Sequence, residues 1–234
     1  MLKGKTQSIS QPVAFYPSLG VYSKTNVDLY ATRNNAAALV QLPTSCASVY
    51  AERRFLQSQF NFYTASIGLK TKPGVFALHL SYYGFNLYNQ MQISLGYGLK
   101  VGEKIDVGAQ FNYHSVNQAN GYGKASSMNA SADAVFHLTE KIHAGIHIYN
   151  PGGSKWNKAK DEKIPAQYTL GIGYDVSDKL FVSTEITKEE DKPGGVNAGI
   201  QYRFIKQFFA RIGIATATSN FFTGVGFNLP RFRI

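Results

Sequence analysis

The chain has one cysteine, Cys46, in 234 residues, so no internal disulfide can form and cysteine usage does not point to a redox compartment. Nowhere does it reach the eighteen or so consecutive apolar residues that a membrane-spanning helix needs, which excludes a helical membrane protein. Met1 to Pro12 is polar and lacks the apolar stretch of a secretory leader. Charge is also sparse, at 16% of residues, against about 25% in ordinary soluble domains. Acids are the scarcer sign, 14 against 24 Lys and Arg, for a net charge of +10. No basic helix or nucleic-acid motif accompanies that excess, and much of it stands in turns or at strand ends, as at Lys70, Lys72, Lys100, Lys104 and Lys141. A second cluster, Lys155, Lys158, Lys160 and Lys163, falls in one loop. The charge therefore suits anionic lipid headgroups or other polyanions, and no nucleic acid is expected as a partner.

What is present is alternation. Met91 to Leu99 reads Met-Gln-Ile-Ser-Leu-Gly-Tyr-Gly-Leu, apolar or aromatic at odd positions and small or polar at even ones. Successive strand side chains point to opposite faces, so such a segment is a strand greasy on one side only. The pattern predicts strands at 46–54, 60–71, 74–84, 88–100, 104–116, 125–138, 141–149, 165–175, 179–188, 194–204, 207–216 and 220–229, with a thirteenth beginning at Arg231. Repeated strands of this length, an even share of apolar and polar faces, 15 Tyr and 16 Phe indicate an all-β, antiparallel up-and-down transmembrane β-barrel. Soluble sandwiches alternate too, but their strands are shorter and their outer faces carry more charge. The 22 Gly fall largely on the small faces of the strands, as a lumen or close packing requires.

Connections alternate in length. Short ones lie at 71–74, 101–103, 138–141, 177–178, 205–206 and 229–230, with longer ones between them at 85–88, 117–124, 150–164 and 189–194. Outer-membrane barrels have short periplasmic turns and longer extracellular loops, which orients the chain. An outer-membrane location implies a leader, so the start of the precursor is expected to be missing.

No chemistry-bearing motif stands out. Gly-x-Ser-x-Gly is absent, no spacing selects a Ser-His-Asp set, and no glycine cluster precedes a helix as a phosphate cradle requires. The expectation is a non-enzyme without cofactor or metal. His79, His114, His137, His143 and His147 all fall on polar strand faces, where solvated lumenal imidazoles account for them. His143 and His147 are about 13 Å apart by strand rise, too far to share an ion. Lumenal lining is expected from Tyr50, Tyr83, His79, His114, His143, Phe181 and Phe209, with Tyr149 and Phe222 beside them. Glu52, Arg53 and Arg54 form a charged rim or a latch at the end of the first strand.

Residues 1–45 do not alternate and are set apart from the barrel at 46–234. Within 26–40 a short helix and turn is expected, with Asn26 or Asp28 as N-cap and Pro43 ending it. Leu29, Tyr30, Leu39 and Val40 together suit a plug better than a disordered periplasmic tail, with Asp28, Asn34, Asn35 and Leu39 as its candidate residues.

The order Asp28, Asn34-Asn35-Ala36-Ala37-Ala38-Leu39, then Val49-Tyr50-Ala51-Glu52-Arg53-Arg54-Phe55, resembles the PorV/PorQ family of Bacteroidetes, among the FadL-like outer-membrane barrels. Tyr83-Gly84-Phe85-Asn86-Leu87-Tyr88-Asn89 and Tyr149-Asn150-Pro151 extend the similarity over nearly the whole chain. FadL-like relatives carry Asn-Pro-Ala near the plug, whereas here Ala36 follows Asn35 directly. The resemblance implies about fourteen strands. An antiparallel barrel closes on an even number, so a chain with twelve or thirteen is expected to lack most of one hairpin at its C-terminus. It also implies a role accessory to type IX protein secretion or cargo attachment, with the translocon or secreted cargo as partner. The alternative is a FadL-like channel carrying small hydrophobic molecules. In either case outer-membrane lipid surrounds the wall.

Overall fold

The computed structural model describes residues 19–53, 56–119, 123–156, 163–217 and 219–227. Twelve strands form one antiparallel sheet in chain order: β1 (Cys46–Arg53), β2 (Asn61–Lys70), β3 (Val75–Phe85), β4 (Tyr88–Val101), β5 (Ile105–Gln118), β6 (Gly123–His137), β7 (Ile142–Tyr149), β8 (Gln167–Asp175), β9 (Leu180–Glu189), β10 (Gly195–Arg203), β11 (Phe208–Ala215) and β12 (Asn220–Phe227). Each matches an expected strand, with ends differing by at most two residues. The expected thirteenth strand and Arg54 lie outside the described residues. The 85–88 connection, expected among the longer ones, is a two-residue hairpin turn, Asn86-Leu87. Regular pairing continues right up to Phe85↔Tyr88, so the ladder consumes residues that the sequence left to the loop.

Register puts like with like. Across β3 and β4, Phe76, Leu78 and Leu80 face Tyr97, Leu95 and Ile93, while His79 and Ser81 face Ser94 and Gln92. The apolar set points away from the interior, with Leu95 61% and Phe111 71% exposed, whereas Ser94 and His114 are fully covered. That is a core turned inside out, as lipid rather than water requires. Aromatics bracket the outer band. Phe76, Tyr97, Tyr174, Tyr202, Phe208 and Phe227 lie toward the short turns, and Tyr63, Tyr82, Tyr168 and Phe221 toward the other end. On β3 and on β8 the two girdles are six residues apart, about 20 Å of strand rise, comparable with the apolar band of a transmembrane barrel.

The sheet curls around residues 19–42. Tyr30 meets Tyr50 on β1, Leu39 lies against Gly96 on β4, Tyr22 against Gly171 on β8, and Asp28 against Arg211 on β11. One segment thus touches walls across nearly the full width of the sheet. β1 and β12 are its edges among the described residues.

Depth in the membrane sets the cost of an outward charge. Leu95→Arg should destabilise the barrel by about 2–4 kcal/mol, and Leu99→Arg near the rim by about 0–1 kcal/mol. Reversible guanidinium unfolding in lipid vesicles measures both, and equal costs at the two positions would contradict the placement of the wall.

Candidate functional site

The interior is built around the segment Leu19–Leu42. Ser23 Oγ accepts the backbone N–H groups of Thr25 (3.1 Å) and Asn26 (2.9 Å), folding the chain into a turn. Asp28 accepts those of Tyr30 (2.8 Å) and Ala31 (3.3 Å), which starts a first 3-10 turn, η1 (Ala31–Arg33). Asn34 closes it by donating to the Ala31 carbonyl at 2.9 Å. A second 3-10 helix, η2 (Ala36–Gln41), is capped by Asn35, whose side-chain oxygen accepts the Ala37 N–H at 3.0 Å. Of the two expected N-caps, Asp28 starts the first turn and Asn26 does not, while the second turn is capped by Asn35, which was not expected. Asn26 caps nothing, because its side chain is drawn to Asp175 on the wall, and the run of small residues begins only at Ala36. Ala36, Ala37, Ala38 and Leu39 are buried completely or nearly so.

The wall is stripped of side chains where this segment crosses it. A Cβ on Gly98 would come within 2.7 Å of the Ala36 carbonyl oxygen, and one on Gly108 would collide with the Ala36–Ala37 backbone. On the opposite side Tyr22 lies over Gly145, Gly171 and Gly173, and a Cβ on Gly171 would clash with Cζ at the phenol end of its ring. Gly199 leaves room for Leu19, and Gly68 for Leu29 and Leu42. Leu29, Ala36, Leu39, Leu42, Val75 and Ala77 form an apolar cluster between segment and wall.

Buried wall acids tie down the segment's polar groups. Asp133 accepts the Ala36 N–H at 2.9 Å and pairs with His147 at 2.5 Å. Asp175 accepts from Ser23 (2.8 Å), Thr25 (3.1 Å) and Asn26 (3.0 Å). Asp106 takes Gln41 and His137, the latter at 2.8 Å. Glu185 accepts from Tyr22 at 3.2 Å, and burial together with that carboxylate pushes the Tyr22 phenol well above its ordinary pKa of 10, so it stays a donor. Asp28, on the segment, answers Arg211 of β11 at 3.6 Å. His137 and His143 touch at 3.0 Å, and His143 lies 3.5 Å from Asp175, so a chain Asp106–His137–His143–Asp175 links the two arms of the seat. The expectation of solvated imidazoles is therefore corrected. His79, His114, His137, His143 and His147 are all buried, because the inner segment and neighbouring side chains fill the space that water was expected to occupy.

Farther toward the long connections, Arg33 donates to Ser81 and Gln92, both at 2.7 Å. Burial draws the Arg33 guanidinium down to about 10, which leaves it charged at neutral pH. From there a polar belt crosses the wall. Gln92 donates to Ser94, Ser94 and Asn112 meet at 2.6 Å, Asn112 donates to Asn129, and Asn129 and His114 both meet the Tyr149 hydroxyl at 2.8 Å. The described ends of the connection after β7, 150–156 and 163–166, pack over this belt. Trp156 packs with Tyr149, Ile164, Val116 and Ala125, while Ser127 donates to the Lys155 carbonyl and Asn150 to that of Ile164. A cavity beside Arg33, Phe62, Ser81 and Tyr83 holds about 10 Å³, roughly a single water.

The expected lining residues do not meet at one place. His79 bonds Ser66, and Tyr83 borders the Arg33 cavity. Tyr50 stacks edge-on between Tyr30 and Phe62, at 5.9 and 6.3 Å. Phe181 is buried beside Gly173, and Phe209 carries the Arg211 guanidinium over its ring at 4.9 Å. Sequence reasoning missed Arg33, the histidine–carboxylate chain and the inward Trp156. The lone Trp in a lysine-rich loop was a usable signal. So were His137 and His143, which flank a short hairpin and must face each other across it.

No family profile matches the chain, and no curated protein matches it either. Solved structures share its fold. The Pseudomonas putida toluene transporter TodX aligns at 11% identity and a TM-score of 0.63 over 93% of this chain and 89% of that one. The Ralstonia pickettii toluene transporter TbuX aligns at 12% and 0.63, over 93% and 90%. A Pseudomonas aeruginosa FadL homologue aligns at 13% and 0.58, over 91% and 84%. The chain therefore shares the antiparallel β-barrel fold of these structures. Overpacking the seat should loosen what fills it. Gly171→Leu should cost about 1–3 kcal/mol and raise conductance in planar bilayers, while Gly152→Leu, with open space around it, should change neither.

Proposed function

We propose that this chain is a gated outer-membrane channel for small hydrophobic molecules, with residues 19–42 as its plug. The observation that carries this reading is a glycine-paved lumen filled by its own N-terminal segment, in a fold shared with two toluene transporters. A structural filler would need no such matched seat. This one is held by side-chain hydrogen bonds and apolar contact, and it can leave without breaking a strand ladder. Asp28, Asn34 and Asn35 shape the plug's turns, and Leu39 anchors it in the apolar cluster. Tyr30, Tyr50, Phe62 and Tyr83 give a hydrophobic solute aromatic surface beside β1 to β3. The secretion-accessory role implied by the PorV/PorQ resemblance draws no support from the neighbouring structures, and the channel reading is preferred to it.

Uptake decides the matter. In a Gram-negative host lacking its own hydrocarbon channels, expression should raise the entry rate of radiolabelled toluene but not of a disaccharide. Tyr50→Ala combined with Phe62→Ala should reduce that gain several-fold while leaving the barrel folded. A correctly folded barrel that adds nothing to toluene entry would overturn the proposal.

A further inference from the structure

On the rim where β2 joins β3, all five connections of the described sheet carry exposed lysine. Lys72 stands between β2 and β3, Lys100 and Lys104 flank the β4–β5 turn, and Lys141, Lys179 and Lys206 lie at the β6–β7, β8–β9 and β10–β11 turns. The acids on this rim are Glu103, Glu140 and Asp178, and Glu140 already faces Lys24 of the inner segment at 3.8 Å. Among the described residues none of the six lysines has an ion-pair partner. Their contrast with Lys70 and Arg203 is informative. Those two turn inward, Lys70 to the Leu42 carbonyl and Arg203 to Asn26, and so serve the seat of the segment. Among the described residues the ammonium groups of the other six make no such inward contact.

Their depth identifies what they face. The aromatic girdle of Phe76, Tyr97, Tyr174, Tyr202, Phe208 and Phe227 lies on the outer wall just above the short turns, and Phe208 contacts both Phe204 (5.3 Å) and Phe227 (5.2 Å). Aromatic belts settle at headgroup level. Lysine one turn beyond such a belt reaches the phosphates with its ammonium while its methylenes stay among the glycerol groups. The opposite rim carries lysine too, Lys124, Lys155 and Lys163 among them, but there Glu189, Glu190 and Asp191 crowd directly beside Lys188 and Lys192. We infer that the short-turn rim is a lipid-docking ring, in which Lys72, Lys100, Lys104, Lys141, Lys179 and Lys206 hold the phosphates of anionic phospholipids in the adjoining leaflet. The ring fixes the barrel's depth, and with it the level of the inner segment, whose arms reach Lys70, Asp175 and Arg203 at the same end.

The test refolds the full chain into phosphatidylcholine vesicles and measures by electron paramagnetic resonance how strongly spin-labelled phosphatidylglycerol and spin-labelled phosphatidylcholine associate with it. Each lysine near an anionic leaflet is worth roughly a fivefold change in affinity. Wild type should therefore prefer phosphatidylglycerol by at least roughly fivefold, and 1 M salt, with a screening length of about 3 Å, should erase most of the preference. Changing all six lysines to Gln should abolish it, changing them to Arg should keep it, and Lys124→Gln with Lys155→Gln and Lys163→Gln at the other end should leave it unchanged. If the sixfold Gln variant does not fold, Lys→Gln pairs on successive turns should lower the preference stepwise. Equal association of the two lipids by wild type would overturn the inference. So would a preference that survives the Gln changes or is lost equally from the other rim. Abolition by free inorganic phosphate at matched ionic strength would also overturn it, since the ring would then be a soluble-anion site. The channel proposal stands or falls separately, because toluene uptake does not depend on this lipid preference.

Discussion

Close approach between a backbone and a wall governs this molecule. Inner-face side chains of ordinary size would occupy much of the lumen of a barrel this small and leave little room for a second layer of chain. Here inward-facing positions of the central strands shrink to glycine where the inner segment crosses, so η2 lies directly on the β4 and β5 backbones and Tyr22 lies over β7 and β8. The segment answers with small residues of its own, Ala36 to Ala38, at the tightest contact. Each half requires the other. A wall of larger residues would expel the segment, and a glycine wall without it would leave the strands poorly packed and entropically costly.

Electrostatics follow from the same enclosure. A buried carboxylate is tolerated only if hydrogen-bonded or paired. Asp106, Asp133, Asp175 and Glu185 all meet that demand by accepting from the inner segment, and the three aspartates add a histidine each. The scarcity of acid in the composition takes on meaning here. Several of the 14 acids are spent inside as receptors for the segment, which leaves the surface basic. The lysine rim and the acid-lined seat are thus two consequences of one distribution of charge.

The wall was legible from the sequence because its signal is local. A period of two needs no knowledge of partners, so Met91, Ile93, Leu95, Tyr97 and Leu99 declare an outward stripe from nine residues alone. Close approach was half legible, since glycine on the small faces could be read but not what would lie on it. The histidine–carboxylate chain depends on register across several hairpins. Asp106 and His137 are 31 residues apart, and only the stagger of β5 on β6 brings them together. The two arms of the inner segment carry even less signal. Short 3-10 turns have no long period, and their caps, Asp28 and Asn35, become distinguishable from other polar residues only when the wall fixes where the chain turns.

Hydrogen bonds within the lumen divide into those that wall residues make with one another and those that they make with the inner segment. In the belt from Thr64 and Ser81 through Ser94, Asn112 and Asn129 to Tyr149, wall residues satisfy one another. Withdrawal of the inner segment would cost that belt only the Arg33 contacts. The expense would concentrate at Asp133, Asp175, Asp106 and Glu185, where wall acids would lose donors and meet water in their place. Carboxylates exchange protein donors for water at modest net cost, whereas an apolar core torn open would pay the full transfer term on every side chain. The main apolar penalty falls on Leu19, Val21, Tyr22, Leu29, Leu39 and Leu42, and a hydrophobic solute taking their place would offset part of it. A wall that remains hydrogen-bonded when empty and a filler held at a few exchangeable points are what the proposed channel requires of its plug.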